Sequence, residues 1–276
     1  MTHNKFIKLA TAAVLLLGVA VAGCKQIKPE DRIQEVTTTS SDYKRAVLIE
    51  DFTGLTCVNC PEAAKVVDQI HETLGVKCVA VSIHGHEGFT PKEHDFFSED
   101  GAQYLKHEEV GDALPAAAFS RTVLEGGDSK YISRNYSGWP QIAEKIAKTP
   151  QLYQIDLATR PGPTARTVDV SFTVRATENQ KESPRLKVQL WLLESGMVAK
   201  QATKSGYDSN YVHKHVLRQA LNGTWGRDYN TLGENVKETF QVTKETVKIE
   251  NTSVVAFVFD GDTNEIYEAA VVDMQS

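Results

Sequence analysis

Cys57 and Cys60 stand two residues apart with Pro61 directly after them, between a short apolar run, Ala46 to Phe52, and a segment of helical periodicity. The spacing lets two thiols close a small disulfide ring, so the pair can cycle between dithiol and disulfide forms. At a helix N-terminus, free backbone N–H groups and the positive end of the helix dipole favour a thiolate over a thiol. Cys57 is therefore the expected attacking sulfur and Cys60 the resolving one. Two other uses of the motif stay open, half of a zinc site and a structural disulfide. Zinc would need further ligands, and the remaining cysteines are Cys24 and Cys78 rather than a second pair; His84 and His86 could supply nitrogen instead. Asp51, at the end of the apolar run, is either a proton acceptor for a reacting thiol or a solvated strand-end acid.

The elements that must position these residues are legible around them. Ala46-Val47-Leu48-Ile49 reads as a strand covered on both faces. After Pro61, which suits a first helical turn, Ala63, Val67, Ile70 and Leu74 recur at helical spacing, and Gly75 is a fitting cap. Val76 to Ile83 is a second apolar strand, with Cys78 as a small core residue. Strand, helix and strand form a right-handed crossover unit with the thiols at the carboxyl end of its first strand.

Gly85 to Gly111 is polar, with a helical patch around Ala102, Leu105 and Val110. Its His86, His94 and His107, with His84 just before, are irregularly spaced and read as a solvated excursion; no metal is expected. Asp112-Ala113-Leu114-Pro115 leads into a third strand, Ala116 to Phe119. Tyr131 belongs to a hairpin partner, and Gly138-Trp139-Pro140 opens a helix carrying Ile142 and Ile146.

At Arg160-Pro161-Gly162-Pro163 the periodicity changes to two. Val168, Val170, Phe172 and Val174 alternate with polar residues, as do Leu186, Val188, Leu190 and Leu192. Further strands are expected over Asn235 to Val242, Val254 to Asp260 and Ile266 to Val272, which together suggest a β-sandwich, immunoglobulin-like in architecture. His213 and His215 would share one strand face; two histidines make an incomplete ligand set, so packing or surface roles are expected.

The first residues are a separate matter. Lys5 and Lys8 precede an apolar run, Leu9 to Ala22, that ends in Val21-Ala22-Gly23-Cys24, a pattern resembling a bacterial lipobox. Cleavage before Cys24 would leave it as a lipidated first residue and move the formal charge from -6 to about -8. An acidic chain without a basic run argues against nucleic acid as a partner. Lys25 to Ser41 is polar and reads as a tether.

Taken in order, strand, C-x-x-C helix, strand, X-Pro strand, hairpin and final helix resemble thioredoxin over roughly residues 43–149. Asp51 stands six residues before Cys57, the offset of the buried acid in thioredoxins. The resemblance implies that Pro115 is a cis-proline beside the disulfide and that the backbone at Leu114 pairs with a substrate chain. Thr56, Val58 and Asn59, around the cysteines, would complete the substrate surface. The chain departs from the usual Trp-Cys-Gly-Pro-Cys by carrying Thr56 and Asn59 in place of Trp and inner Pro.

Lipobox, tether, unusual C-x-x-C domain and a β-rich half with His213-Lys214-His215-Val216-Leu217-Arg218 and Trp225-Gly226 resemble the outer membrane protein 28 (Omp28-related) lipoprotein family of Bacteroides-type bacteria. The resemblance implies an outer-membrane location, lipid-anchored at Cys24, on either the periplasmic or the cell-surface face. The expected organisation is a signal peptide over 1–23, a lipidated tether over 24–42, an α/β thioredoxin-like domain over 43–149 and an all-β sandwich over 150–276. Two functions follow. One is thiol-disulfide exchange on exported proteins, without a cofactor, with Cys57, Cys60, Asp51 and Pro115 at the site. The other is a non-enzymatic binding lipoprotein, adhesin-like or an assembly partner of an outer-membrane protein, whose Cys57–Cys60 disulfide is structural.

Overall fold

The structure, a computed structural model, describes residues 43–182 and 184–274. The expected signal peptide, tether and lipidation site at Cys24 lie outside the described residues. In chain order the elements are β1 (Val47–Phe52), α1 (Cys60–Leu74), β2 (Cys78–Ile83), α2 (Glu99–His107), β3 (Ala116–Phe119), β4 (Ile132–Ser133), α3 (Trp139–Ala147) and β5 (Tyr153–Pro161). Then follow β6 (Thr167–Ala176), β7 (Leu186–Glu194), β8 (Met197–Thr203), β9 (Gly206–His213), β10 (Val216–Ala220), β11 (Arg227–Asp228), β12 (Val236–Gln241), β13 (Thr252–Asp260) and β14 (Ile266–Asp273).

Three sheets result. A nine-stranded sheet runs β14-β13-β7-β10-β2-β1-β3-β4, with β11 paired to β7; β12-β6-β5 form a second sheet, and β8-β9 a separate hairpin. The protein is thus mixed α/β with a large share of β-sheet. The long sheet crosses the expected boundary near residue 150, because β10 lies parallel to β2 through Val216 opposite Ser82, with Ser82 N–H donating to His215 C=O. Its far edge curls back: Ile266 N–H donates to Ser120 C=O at 2.9 Å. The Arg45 guanidinium donates to Ile266 C=O, and Ala46 N–H reaches Glu268 Oε1.

Period-two alternation sorts the side chains. From β1, Val47 and Ile49 face α1 and α3, meeting Ala63, Val67, Ile70, Trp139, Ala143 and Ile146. Leu48 and Phe52 face the other way, into a core with Val79, Val81, Tyr104, Trp191, Leu193, Val255 and Phe257. The alternation of Leu186, Val188, Leu190 and Leu192 faces Val168, Val170, Phe172 and Val174 of the second sheet, as the sequence suggests. What differs is that β7 is buried on its other face too, because Trp191 and Leu193 fill the core shared with β1 and β2. Among the described residues, no helix is long and apolar enough to cross a membrane.

Candidate functional site: a covered C-x-x-C disulfide

The strand-to-helix turn that carries the cysteines begins where β1 ends. Thr53 N–H still pairs with Ile83 C=O, and Gly54 then lets the turn approach the loop from His84 to Thr90. Thr56 N–H donates to Phe89 C=O at 3.0 Å, and Leu55 N–H to Thr90 Oγ1 at 3.3 Å. A Cβ on Gly54 would stand 2.4 Å from the Phe89 Cβ, a close approach only glycine permits here. Gly54→Ala should therefore lower the unfolding free energy by about 1–3 kcal/mol, read from the midpoint of a urea titration.

Cys57 and Cys60 form a disulfide. Cys60 is the first residue of α1, Cys57 lies in the turn ahead of it, and Pro61 occupies the first helical turn. Both cysteines are buried, 1% and 3% exposed, whereas Thr56, Val58 and Asn59 face solvent. The cover is the β8–β9 hairpin, which sequence reasoning missed. Ala202 N–H donates to Leu55 C=O at 2.8 Å, and the Gln201 amide donates to Cys57 C=O at 3.1 Å and Gly54 C=O at 3.2 Å. Gln201 is itself 2% exposed. A single glutamine in Lys200-Gln201-Ala202-Thr203 gives no sequence signal for this role, because a polar residue in a strand ordinarily faces water.

Below the hairpin is a cleft lined by Asp51, Cys60, Ser82, His84, Gln201 and His213. Asp51 is buried, its Oδ1 has no hydrogen-bond partner, and burial pushes its pKa up to about 7. His84 is buried rather than solvated as expected, because Nδ1 meets Thr90 Oγ1 at 3.2 Å and the ring packs edge-on against Phe96 and His213. Burial first, then the nearby His213, holds the His84 pKa well below its ordinary value. Burial also lowers the His213 pKa to about 4, so both rings are neutral at pH 7. Each leaves Nε2 without a partner. His215 does not share a strand face with His213: it adopts φ +54° beyond the end of β9, where the chain turns back into the main sheet.

Among the described residues, no three His, Cys, Asp or Glu side chains come together as metal ligands. Cys78 is buried in the core under α1, and burial pushes its pKa up to about 12, which leaves it an inert thiol. The Leu114–Pro115 peptide is cis, and the next residue, Ala116, pairs with Phe52 at the end of β1 from which the cysteine turn departs. Leu114 is half-buried against the core and Pro115 is buried.

Fold and site together define a mixed α/β protein that closes a C-x-x-C disulfide beneath a hairpin of its own chain. The chain belongs to the outer membrane protein Omp28 family, whose sequence pattern matches residues 115–276. It is accordingly an outer membrane protein. The matched part starts at Pro115, so the cysteine pair lies ahead of it. In fold, the chain is similar to HBP35 of Porphyromonas gingivalis, with a TM-score of 0.67 at 17% identity over 85% of this chain and 77% of that one. A protein of Agrobacterium tumefaciens is similar with a TM-score of 0.50 at 12% identity, over 84% and 96% of the two chains. A domain of the outer membrane lipoprotein Omp28 of P. gingivalis is 25% identical over 45% of this chain and 88% of its own, with a TM-score of 0.33. No curated protein matches the sequence.

Proposed function

We propose that this lipoprotein performs thiol-disulfide exchange on exported proteins through Cys57 and Cys60, in a thioredoxin-like unit spanning residues 43–149. Support for the unit comes from the strand order β2-β1-β3-β4, parallel between β1 and β2 and antiparallel after that, with α1 and α3 packed on one face. Residues 150–276 form its β-rich complement, in which β5, β6 and β12 stack on β7 and β13 in the manner of an immunoglobulin-like sandwich. Cys24, freed by loss of residues 1–23, is the lipid anchor in this reading, and residues 24–42 are the tether.

The observation that carries the reading is Asp51. A structural disulfide has no use for a buried carboxyl with an unpartnered oxygen in the same cleft as Cys60; such a group costs the fold stability, a cost that proton transfer to and from the cysteines accounts for. From the disulfide form, a client thiolate attacks Cys57 Sγ and breaks the Cys57–Cys60 bond. Cys60 leaves as a thiolate and takes the proton from Asp51. A second client thiolate then attacks the client sulfur of the mixed disulfide and expels Cys57. The client gains a disulfide, and the pair holds two electrons more, Cys60 as a thiol and Cys57 as a thiolate; Cys57 and Asp51 regain protons from solvent. In reverse, Cys57 attacks a client disulfide, Cys60 resolves, and Asp51 accepts the proton.

Burial of both sulfurs favours the second reading, a binding lipoprotein with a structural disulfide. Cys60→Ser separates the two. Exchange predicts mixed disulfides between Cys57 and envelope proteins, released by reductant and absent from a Cys57→Ser, Cys60→Ser control; recovery of none would leave the structural reading standing.

A further inference from the structure

The hairpin over the disulfide is built to detach. It pairs with no strand of the main sheet, and β9 is exposed along most of its length. Its two roots are positive-φ residues, Gly196 at +76° and His215 at +54°, which bracket the hairpin where β7 leaves and β10 re-enters the main sheet. Its polar ties are Ala202 N–H to Leu55, the Gln201 amide to Cys57 and Gly54, Arg218 to the Met197 sulfur, and an exposed Lys214 to Asp68 ion pair on α1, while Met197 and Ala199 rest on the small cluster of Leu55, Phe96 and Val216 and His213 stands edge-on to Phe96. Beneath it Asp51 Oδ1, His84 Nε2 and His213 Nε2 have no protein hydrogen-bond partner, and opening would turn all three toward bulk water.

We infer that β8 is a self-supplied occupant of the client groove, in which Ala202 takes the backbone position at Leu55 that an extended client segment takes once the hairpin swings out. The inference rests on the exchange reading for its client and adds what regulates access. Leu55 C=O, free in the opened state, is a backbone acceptor beside the reactive turn, and an extended, unfolded chain satisfies it as β8 does, by strand addition. A folded client with no free segment cannot enter, so the client class is unfolded or locally unfolded exported chains. Exchange through either sulfur then passes through the opened form, because the closed form leaves neither accessible.

Two measurements test this. In the full chain, Gln201→Ala should speed reduction of the Cys57–Cys60 disulfide by a water-soluble phosphine roughly tenfold, since the closed state alone loses the amide's bonds. Amide exchange at Ala202 should rise by the same factor, while β7 and β13 amides stay as protected as before. An unchanged reduction rate, or an Ala202 amide that exchanges only together with β7 and β13, overturns the gate. Next, the Cys60→Ser protein is coupled through Cys57 to an unstructured peptide whose single cysteine is carried as a pyridyl disulfide, with thiopyridone as the leaving group, under native conditions. Ala202 should lose its protection in the adduct. Failure to form the adduct, or an Ala202 amide as protected as in the free protein, overturns displacement of β8. The phosphine needs no client, so a gate that opens while Cys60→Ser traps nothing from cells sinks the exchange reading alone. Trapped clients with an unmoved hairpin sink this inference alone.

Discussion

Arg121→Met lowers the unfolding free energy by about 3–5 kcal/mol at neutral pH, the range for removing one partner of a buried charge pair. Arg121 and Glu50 are both buried and meet in a two-point contact, Nε to Oε2 at 3.0 Å and Nη2 to Oε1 at 2.6 Å. The guanidinium also lies among the Tyr104, Phe257 and Phe259 rings. A second carboxyl, Glu108, lies 3.1 Å from Arg121 Nε without a hydrogen-bonding direction to it. Burial, then the neighbouring Glu50, push the Glu108 pKa well above its ordinary value despite the opposing pull of Arg121. Glu108 therefore holds its proton more tightly than an ordinary carboxyl, and Glu50 is the group in two-point contact with the guanidinium. Methionine fills much of the space and leaves the Glu50 carboxyl alone in an apolar core. One check separates charge from packing: adding Glu50→Gln to Arg121→Met should recover much of the loss in urea titrations. For Glu108 the folded-state pKa is raised, so its contribution is fully present below about 4.5 and fades as the pH climbs through the raised value.

This cluster also shows where sequence reading ends. The crossover around the cysteines is legible because its signals are local: an apolar run, a proline in the first turn, helical spacing from Ala63 to Leu74, and a glycine at Gly75 whose φ is +56°. The strands β12, β13 and β14 fall within a few residues of the expected ranges, because alternation and turn residues are also local. Glu50 carries no such mark. In sequence it belongs to a strand-ending acidic pair, yet it is buried by a guanidinium 71 residues away. The single bridge that joins β10 to β2, and with it the continuity of the long sheet, links residues 134 positions apart and leaves no periodic trace. The cover on the disulfide is of the same kind. Cys57, Cys60 and Asp51 stand out by spacing, whereas Gln201 bonds the Cys57 carbonyl and His213 lines the same cleft through tertiary placement alone, so the burial of the pair could be learned only from the fold.

Asp51 is where that burial turns into a measurable difference between the two functional readings. Burial raises its pKa from 3.8 to about 7, which corresponds to something on the order of 4 kcal/mol. Because the folded-state value is the higher one, the stability linked to its proton is fully present below about pH 3.8, falls through the interval up to about 7, and stays low above it. Asp51→Asn is neutral throughout, so its stability advantage over the wild-type chain should grow between pH 4 and 7 and then level off. That result is expected whatever the disulfide is for. Exchange adds a second outcome that packing does not produce. When a client thiol opens the Cys57–Cys60 bond, the leaving Cys60 thiolate needs a proton, and Asp51, which shares its cleft and is still protonated below about pH 7, is a carboxyl that can give it. Asp51→Asn should slow single-turnover exchange by roughly 10²-fold, the lower end of general-acid contributions, and abolish the inflection near pH 7 in the rate profile once client thiolate is accounted for. A variant that gains stability as described while its exchange rate and pH profile stay at wild-type values would leave Asp51 a destabilising relic beside a structural disulfide. Loss of rate and loss of the inflection together, in a protein more stable than its parent, would identify the carboxyl as the proton donor for Cys60, since a folding defect moves stability the other way.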